Sequence, residues 1–254
     1  MLKLTKLLFL MLLLLGAAHK SILSAEANAN VSTAEAEFTN LIVTADVKLD
    51  LNDRTAAAQY LTQANYILIQ NPNIDIFLQA HFNKVYGKLY MTNNAATALQ
   101  YFNTSVSQFS GNVLEQAETK MFIGITYYYA SDYTTAKNYF EMAKNAFDLQ
   151  GDMQKSAQAL NNLGVVYYRQ GDTQNAVIFC QNSLNINTEI GQRLNAFRNQ
   201  QNLAVITGNS ANGLSNPLLD EDIINQAAGG TGTGSGSTIT TSGSGTVVVT
   251  TPGG

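Results

Sequence analysis

Chemistry in a folded chain needs acids, bases, nucleophiles or metal ligands gathered in one place, and few side chains here could serve. Histidine occurs twice in the 254 residues, as His19 and His81, and no second His, Cys or carboxylate set stands at metal-ligand spacing around His81. With one cysteine, Cys180, an intramolecular disulfide and a Cys-rich zinc site are both excluded, and the residue reads as a small buried hydrophobe. No Gly-x-Ser-x-Gly, His-Glu-x-x-His or Walker-type lysine motif occurs. The run Gly230-Thr-Gly-Thr-Gly-Ser-Gly superficially looks like a phosphate-binding loop, but no strand precedes it and no helix follows, so low complexity accounts for it. The expectation is a protein with no catalytic residue, no cofactor and no metal, which is not an enzyme. Two modification signals remain. Asn30-Val-Ser and Asn103-Thr-Ser are N-glycosylation sequons, meaningful in a eukaryotic cell, with Asn30 in a flexible stretch and Asn103 in mid-helix.

Composition narrows the class further. Hydrophobic residues make up 45%, enough to bury a substantial core, while charged residues are only 13%, against roughly 25% in ordinary soluble proteins. The net charge of -4 and the lack of any basic run exclude nucleic acid as a partner, since that contact needs clustered Lys and Arg. Residues 1–18 have the layout of a secretory signal peptide. Lys3 and Lys6 give a positive start, Leu7 to Leu15 an apolar run, and Gly16-Ala17-Ala18 a small-residue exit, with Ala25 and Ala29 as later cleavage candidates. The run is short of the about 20 apolar residues of a membrane span, with an uncleaved anchor as the alternative. The expected location is secreted, extracellular or periplasmic, with no stable membrane span after cleavage.

The elements that would position any site emerge when the sequence is slid against itself. Residues 151–164 overlie residues 191–204 at a shift of 40, and the same shift carries Gly164 to Gly124, Tyr167 to Tyr127 and Ala176 to Ala136. The clearest copy runs Leu160-x-x-Leu163-Gly164-x-x-Tyr167-x-x-x-Gly171-Asp172-x-x-x-Ala176. Gly164 and Ala176 are small where helices cross closely, Tyr167 fills the space beside them, and Gly171-Asp172 ends one helix and caps the next. The copy before it keeps Ile123, Gly124, Tyr127, Asp132, Ala136, Phe140 and Ala143. Weaker copies are marked by Phe82, Leu89, Ala98 and Phe102, and by Asn52-Asp53, Ala57, Leu61 and Ala64, with a helix opening at Ser32 and Glu35 as its capping-box partner.

These positions resemble the tetratricopeptide repeat, a helix–turn–helix unit. A period near 40, against about 34 for the usual unit, resembles the longer-helix subtype of kinesin light chains and G-protein-modulator adaptors. The resemblance covers roughly Phe38 to Gly208. It implies an all-α, right-handed antiparallel helix array over residues 33–228, after a flexible segment at 19–32. Asn216-Pro217 followed by Leu-Leu-Asp-Glu-Asp reads as the start of a helix capping the array. Residues 229–254 form a Gly/Ser/Thr-rich tail, read as flexible, in which Thr238 to Thr241 and Thr246 to Thr251 could pair as a hairpin or be donated to another molecule.

In that family the first helices of successive units line a groove for a partner peptide or helix. The resemblance places Met121, Phe122, Ile125, Tyr128 and Tyr129 there from one copy, Asn161, Asn162, Val165, Tyr168 and Arg169 from the next, and Arg198, Gln201, Asn202 and Val205 from the last. The weaker early copy adds Asn83, Lys84 and Tyr90. The residue types suit peptide capture: amides pair with a backbone, tyrosines supply rigid area with a polar tip, and arginines meet carboxylates. Met121 and Asn161 stand where the family's heat-shock-chaperone clamp uses lysine, which argues against that ligand. Two functions follow as expectations: an exported protein–protein interaction module, or an extracellular structural subunit that self-assembles into a filament or matrix through its low-charge surface and Thr/Val tail.

Overall fold

The computed structural model describes residues 33–209 and 216–219, and the backbone of Thr238–Thr241 and Val247–Thr250. The expected signal segment, residues 19–32, His19 and Asn30 lie outside the described residues.

Nine helices follow one another among the described residues. Helix α1 spans 33–50. It is followed by α2 (Arg54–Gln70), α3 (Ile76–Tyr90), α4 (Ala95–Gln108), α5 (Val113–Tyr129), α6 (Tyr133–Gln150), α7 (Met153–Arg169), α8 (Thr173–Glu189) and α9 (Arg193–Ile206). Their starts are written into the sequence as short polar side chains that accept a first-turn N–H. Asp53, Asp75, Asn94, Asn112, Asp132, Asp152 and Asp172 all do so, whereas Gln192 ahead of α9 makes no such bond. Glu35, the expected capping-box partner, sends its carboxylate to the Asp75 N–H at 2.9 Å, tying α1 to the start of α3. In three of the units the turn takes one left-handed residue, Gly171 at φ 81° in the clearest copy, Ser131 at φ 64° in the one before and Asn52 at φ 58° in the first.

The periodic small residues explain the stacking. A Cβ on Gly87 would lie 2.4 Å from the Phe102 ring, on Gly124 2.6 Å from the Phe140 ring, and on Gly164 2.4 Å from Cys180 Sγ. Each glycine therefore lets the second helix of its unit seat a large or soft side chain against the first. Three residues along, the signature tyrosine stacks on an aromatic of the second helix. Tyr90 meets Tyr101 (centroids 6.3 Å apart), Tyr127 meets Tyr139 (5.7 Å) and Tyr167 meets Phe179 (5.0 Å). Cys180 is fully buried, as expected for a small hydrophobe.

Gly87 is the signature glycine that a shift of 40 does not find. It precedes Gly124 by 37 positions: α4 has 14 residues where α6 has 18 and α3 ends sooner after its glycine than α5 does, while the flanking turns are longer. The Gly-x-x-Tyr spacing of Gly87 and Tyr90 was the available signal.

The end of the array departs from expectation. Residues 216–219 are not helical, so the capping helix does not begin at Pro217; residues 220–228 lie outside the described residues. Both main-chain polar groups of Leu218 bond to Asn202, and Leu219 is fully buried. Fixed tertiary partners here outcompete a local helix signal that must first meet the cost of nucleation. In the tail, Thr238–Thr241 and Val247–Thr250 pair antiparallel as a hairpin, with Thr238 opposite Thr250, one of the two alternatives to a flexible run.

Candidate functional site

First helices α1, α3, α5, α7 and α9 face a common cleft of about 260 Å³. Its walls include Met121, Phe122, Ile125, Asn162, Arg198 and Lys84, all expected there. They also include Asp46, Asp50, Lys88, Glu118, Lys155 and Gln158, which sequence reasoning did not single out.

These overlooked residues form a ladder of alternating charge. Lys88 donates to Asp46 at 2.6 Å and Asp50 at 3.1 Å on α1. Lys84 donates to Glu115 at 2.8 Å and Glu118 at 2.6 Å on α5, and Lys155 of α7 also pairs with Glu118. Lys84 and Lys88 are each only 7% exposed, and their ammoniums sit over the Phe109 and Phe122 rings, which adds a cation–π attraction. Burial disfavours charge on Glu118, but the two ammoniums outweigh it and hold the carboxyl at about 2. Burial likewise opposes the ammonium of Lys84, and the two glutamates overcome it, so its pKa is raised. The signal was present as like-charged pairs three or four apart on successive first helices, acidic on α1, basic on α3, acidic on α5. A low overall charge concealed it, because the charges are concentrated on this face.

Such mutual pairing leaves the cleft lined with charge but largely neutralised. His81 stands at the ladder's edge, packed edge-on against Phe77 and Phe109, with Nε2 3.8 Å from Glu115. Burial first, then Lys84, lowers its pKa. No group of three or more His, Cys, Asp or Glu that could hold a metal occurs among the described residues.

The remaining expected residues meet at the C-terminal end of the cleft. Asn202 Oδ1 accepts the Leu218 N–H at 2.8 Å, and Asn202 Nδ2 donates to the Leu218 carbonyl at 2.9 Å. Asn161 Nδ2 reaches that carbonyl at 3.3 Å, and Asn161 Oδ1 accepts from Asn199 and Asn202, both at 2.9 Å. Arg169 donates to Tyr128 Oη at 2.9 Å and to Asn216 Oδ1 at 3.0 Å. Leu219 joins the apolar cluster of Met121, Phe122, Ile125, Tyr128 and Val165. Tyr129 is exposed on the Tyr128 edge, and Gln201 is half-buried. Tyr168 packs with Ala176, Cys180 and Ile206 between units, and Val205 is buried. Asn83 bonds to Gln108 and Tyr90 lies in the aromatic stack, so both face the second helix of their unit. Asn103 is exposed on α4, within a regular helical turn.

No family model matches the sequence, and no curated protein matches it. Solved structures do match in shape. A signal transduction ATPase with a tetratricopeptide repeat sensor from Pyrococcus horikoshii superposes with a TM-score of 0.58 at 16% identity, over 68% of this chain and 27% of that one. Aspartyl phosphate phosphatase F from Bacillus subtilis gives 0.56 at 12% identity, over 82% of this chain and 60% of that one. BtubC (BKLC) from P. vanneervenii gives 0.53 at 17% identity, over 79% and 86%. This chain thus spans only part of the first and the second of these proteins. Likeness at such identities shows the fold alone, an antiparallel array of helical repeats with a tetratricopeptide-like arrangement.

Proposed function

We propose that the protein is an exported, non-catalytic interaction module of the tetratricopeptide type that holds an extended segment of a partner protein in the cleft between its first helices. The observation that carries this reading is the main-chain bracket at Leu218, where an amide of α9 bonds both the N–H and the carbonyl of one residue. Export rests on the basic, apolar and small-residue order of residues 1–18. The lack of enzymatic activity rests on the scarcity of nucleophile and acid–base sets in the sequence.

Panning displayed peptides against the full chain tests the cleft. Gln158 lines it while only half-buried, so Gln158→Trp fills the space without entering the core. Peptides captured by the wild type should be lost by this variant at unchanged helicity; capture indifferent to Gln158→Trp would place the site elsewhere.

Self-assembly is the second reading, favoured by the tail hairpin. Among the described residues the ribbon has two strands, so each has an edge that could pair with another chain. Light scattering on the chain with and without residues 229–254 separates the two: assemblies that disappear with the tail would support a structural subunit.

A further inference from the structure

The C-terminal end of the cleft is filled by the chain itself, and the way it is filled specifies a ligand. Resting on the cleft reading above, we infer that this end is a binding site for an extended, leucine-bearing peptide of a partner, and that residues 216–219 are its built-in occupant, displaced when the partner binds.

Three features define the recognised pattern. Asn202 reads main chain alone at Leu218, accepting its N–H and donating to its carbonyl, so any residue but proline satisfies that position. Leu219 is fully buried in the apolar cluster that includes Met121, Phe122 and Ile125, a socket sized for one branched aliphatic side chain. Arg169 takes the Asn216 side-chain oxygen at 3.0 Å, so an acceptor is wanted three positions before the socket residue. The ligand is therefore a segment with a side-chain acceptor, a residue that can be buried as Pro217 is, any residue but proline, and then a leucine-like residue.

Exchange follows from the layout. Met121, Phe122 and Ile125 line the open part of the cleft and belong to the same apolar cluster as Leu219, which places the Leu219 position beside the open cleft. A peptide running the length of the cleft must enter the socket and compete with Leu219. Only residues 207–215 join the end of α9 at Ile206 to this segment. A tether that short gives an effective concentration on the order of mM, which a partner must exceed in binding strength. The segment thus sets an affinity threshold.

The test titrates a fluorescein-labelled peptide of residues 212–222 into the full chain, read by anisotropy. Leu219→Asp should empty the socket and tighten peptide binding at least tenfold over wild type, and adding Asn202→Ala should abolish it, with helicity checked by circular dichroism. Should Leu219→Asp not fold, a twenty-residue Gly/Ser insertion between Asn209 and Asn216 leaves the socket intact. Effective concentration falls roughly as the −3/2 power of tether length, so binding should tighten about fivefold to tenfold. Equal affinity across these chains, or no binding to the opened ones, would overturn the inference. So would a wild-type dimer that Leu219→Asp converts to monomer, since the segment would then be exchanged between copies. If the 212–222 peptide fails while panned peptides still bind in a Gln158→Trp-sensitive manner, only this inference falls. If neither binds, the cleft reading falls with it.

Discussion

Replacing Gly164 by alanine tests whether the close approach of α7 and α8 is what the signature glycine provides. The new Cβ would lie 2.4 Å from Cys180 Sγ, 3.1 Å from the Ala176 carbonyl and 3.2 Å from the Cys180 nitrogen. Cys180 and Ala176 are fully buried, so the sulfur has little room to retreat, and two of the three contacts are main chain. Relief requires the helices to separate by a few tenths of an ångström or more, at an overpacking cost in the upper part of the usual range, about 2–3 kcal/mol. Against this, alanine improves helix propensity by about 1 kcal/mol over glycine. The net expectation is a loss of about 1–2 kcal/mol, or a drop of roughly 2–8 °C in the melting temperature for a chain of this size. Urea unfolding followed at 222 nm measures it, with both transitions fitted if the array melts in parts. The companion variant Cys180→Ala removes the closest atom. In the Gly164→Ala background it should cost less than it does alone, with a coupling above about 0.5 kcal/mol. A melting temperature unchanged by Gly164→Ala, or strict additivity in the pair, would refute the packing argument.

Three further outcomes are expected. Ser131 holds a left-handed φ of 64° where Gly171 stands in the next unit, so Ser131→Gly should stabilise the chain by about 1 kcal/mol; a lower urea midpoint would contradict it. Gln192 makes no cap bond ahead of α9, and Gln192→Asp should add about 1 kcal/mol, seen as slower amide exchange in the first turn of α9. Glu118 is held at about 2 against its ordinary 4.5. A depressed carboxyl stabilises fully above the unfolded value and loses that stability as pH falls toward the folded one. The wild type should therefore lose more stability than Glu118→Gln between pH 5 and pH 2.5. The difference is at most about 3 kcal/mol by the linkage relation, and less because the side chain is 27% exposed; parallel pH profiles would rule out the ladder's role.

The helix array was legible in the sequence because its causes are local and repeat. Caps such as Asp132 and Asp172 lie two or three residues from the N–H groups they accept, and Gly124, Gly164, Tyr127 and Tyr167 recur at one spacing, so a shift of the chain against itself exposes the unit. Gly87 escaped because a shorter α3 and α4, partly offset by longer turns, break the spacing without changing the contact. The charge ladder is different in kind. Each of its partners lies 31 to 42 positions away in sequence, and which lysine meets which carboxylate depends on how far successive helices are rotated and offset. The same holds for residues 216–219. Read alone, Asn216-Pro217 and the acids that follow favour a helix start, and nothing nearby opposes it. The opposing partners, Asn202, Asn161 and the Leu219 socket, converge on one place only when α5, α7 and α9 pack side by side. Local hydrogen bonds and steric spacing are written along the chain; a contact whose energy depends on the distance between separate helices exists only once those helices are in place.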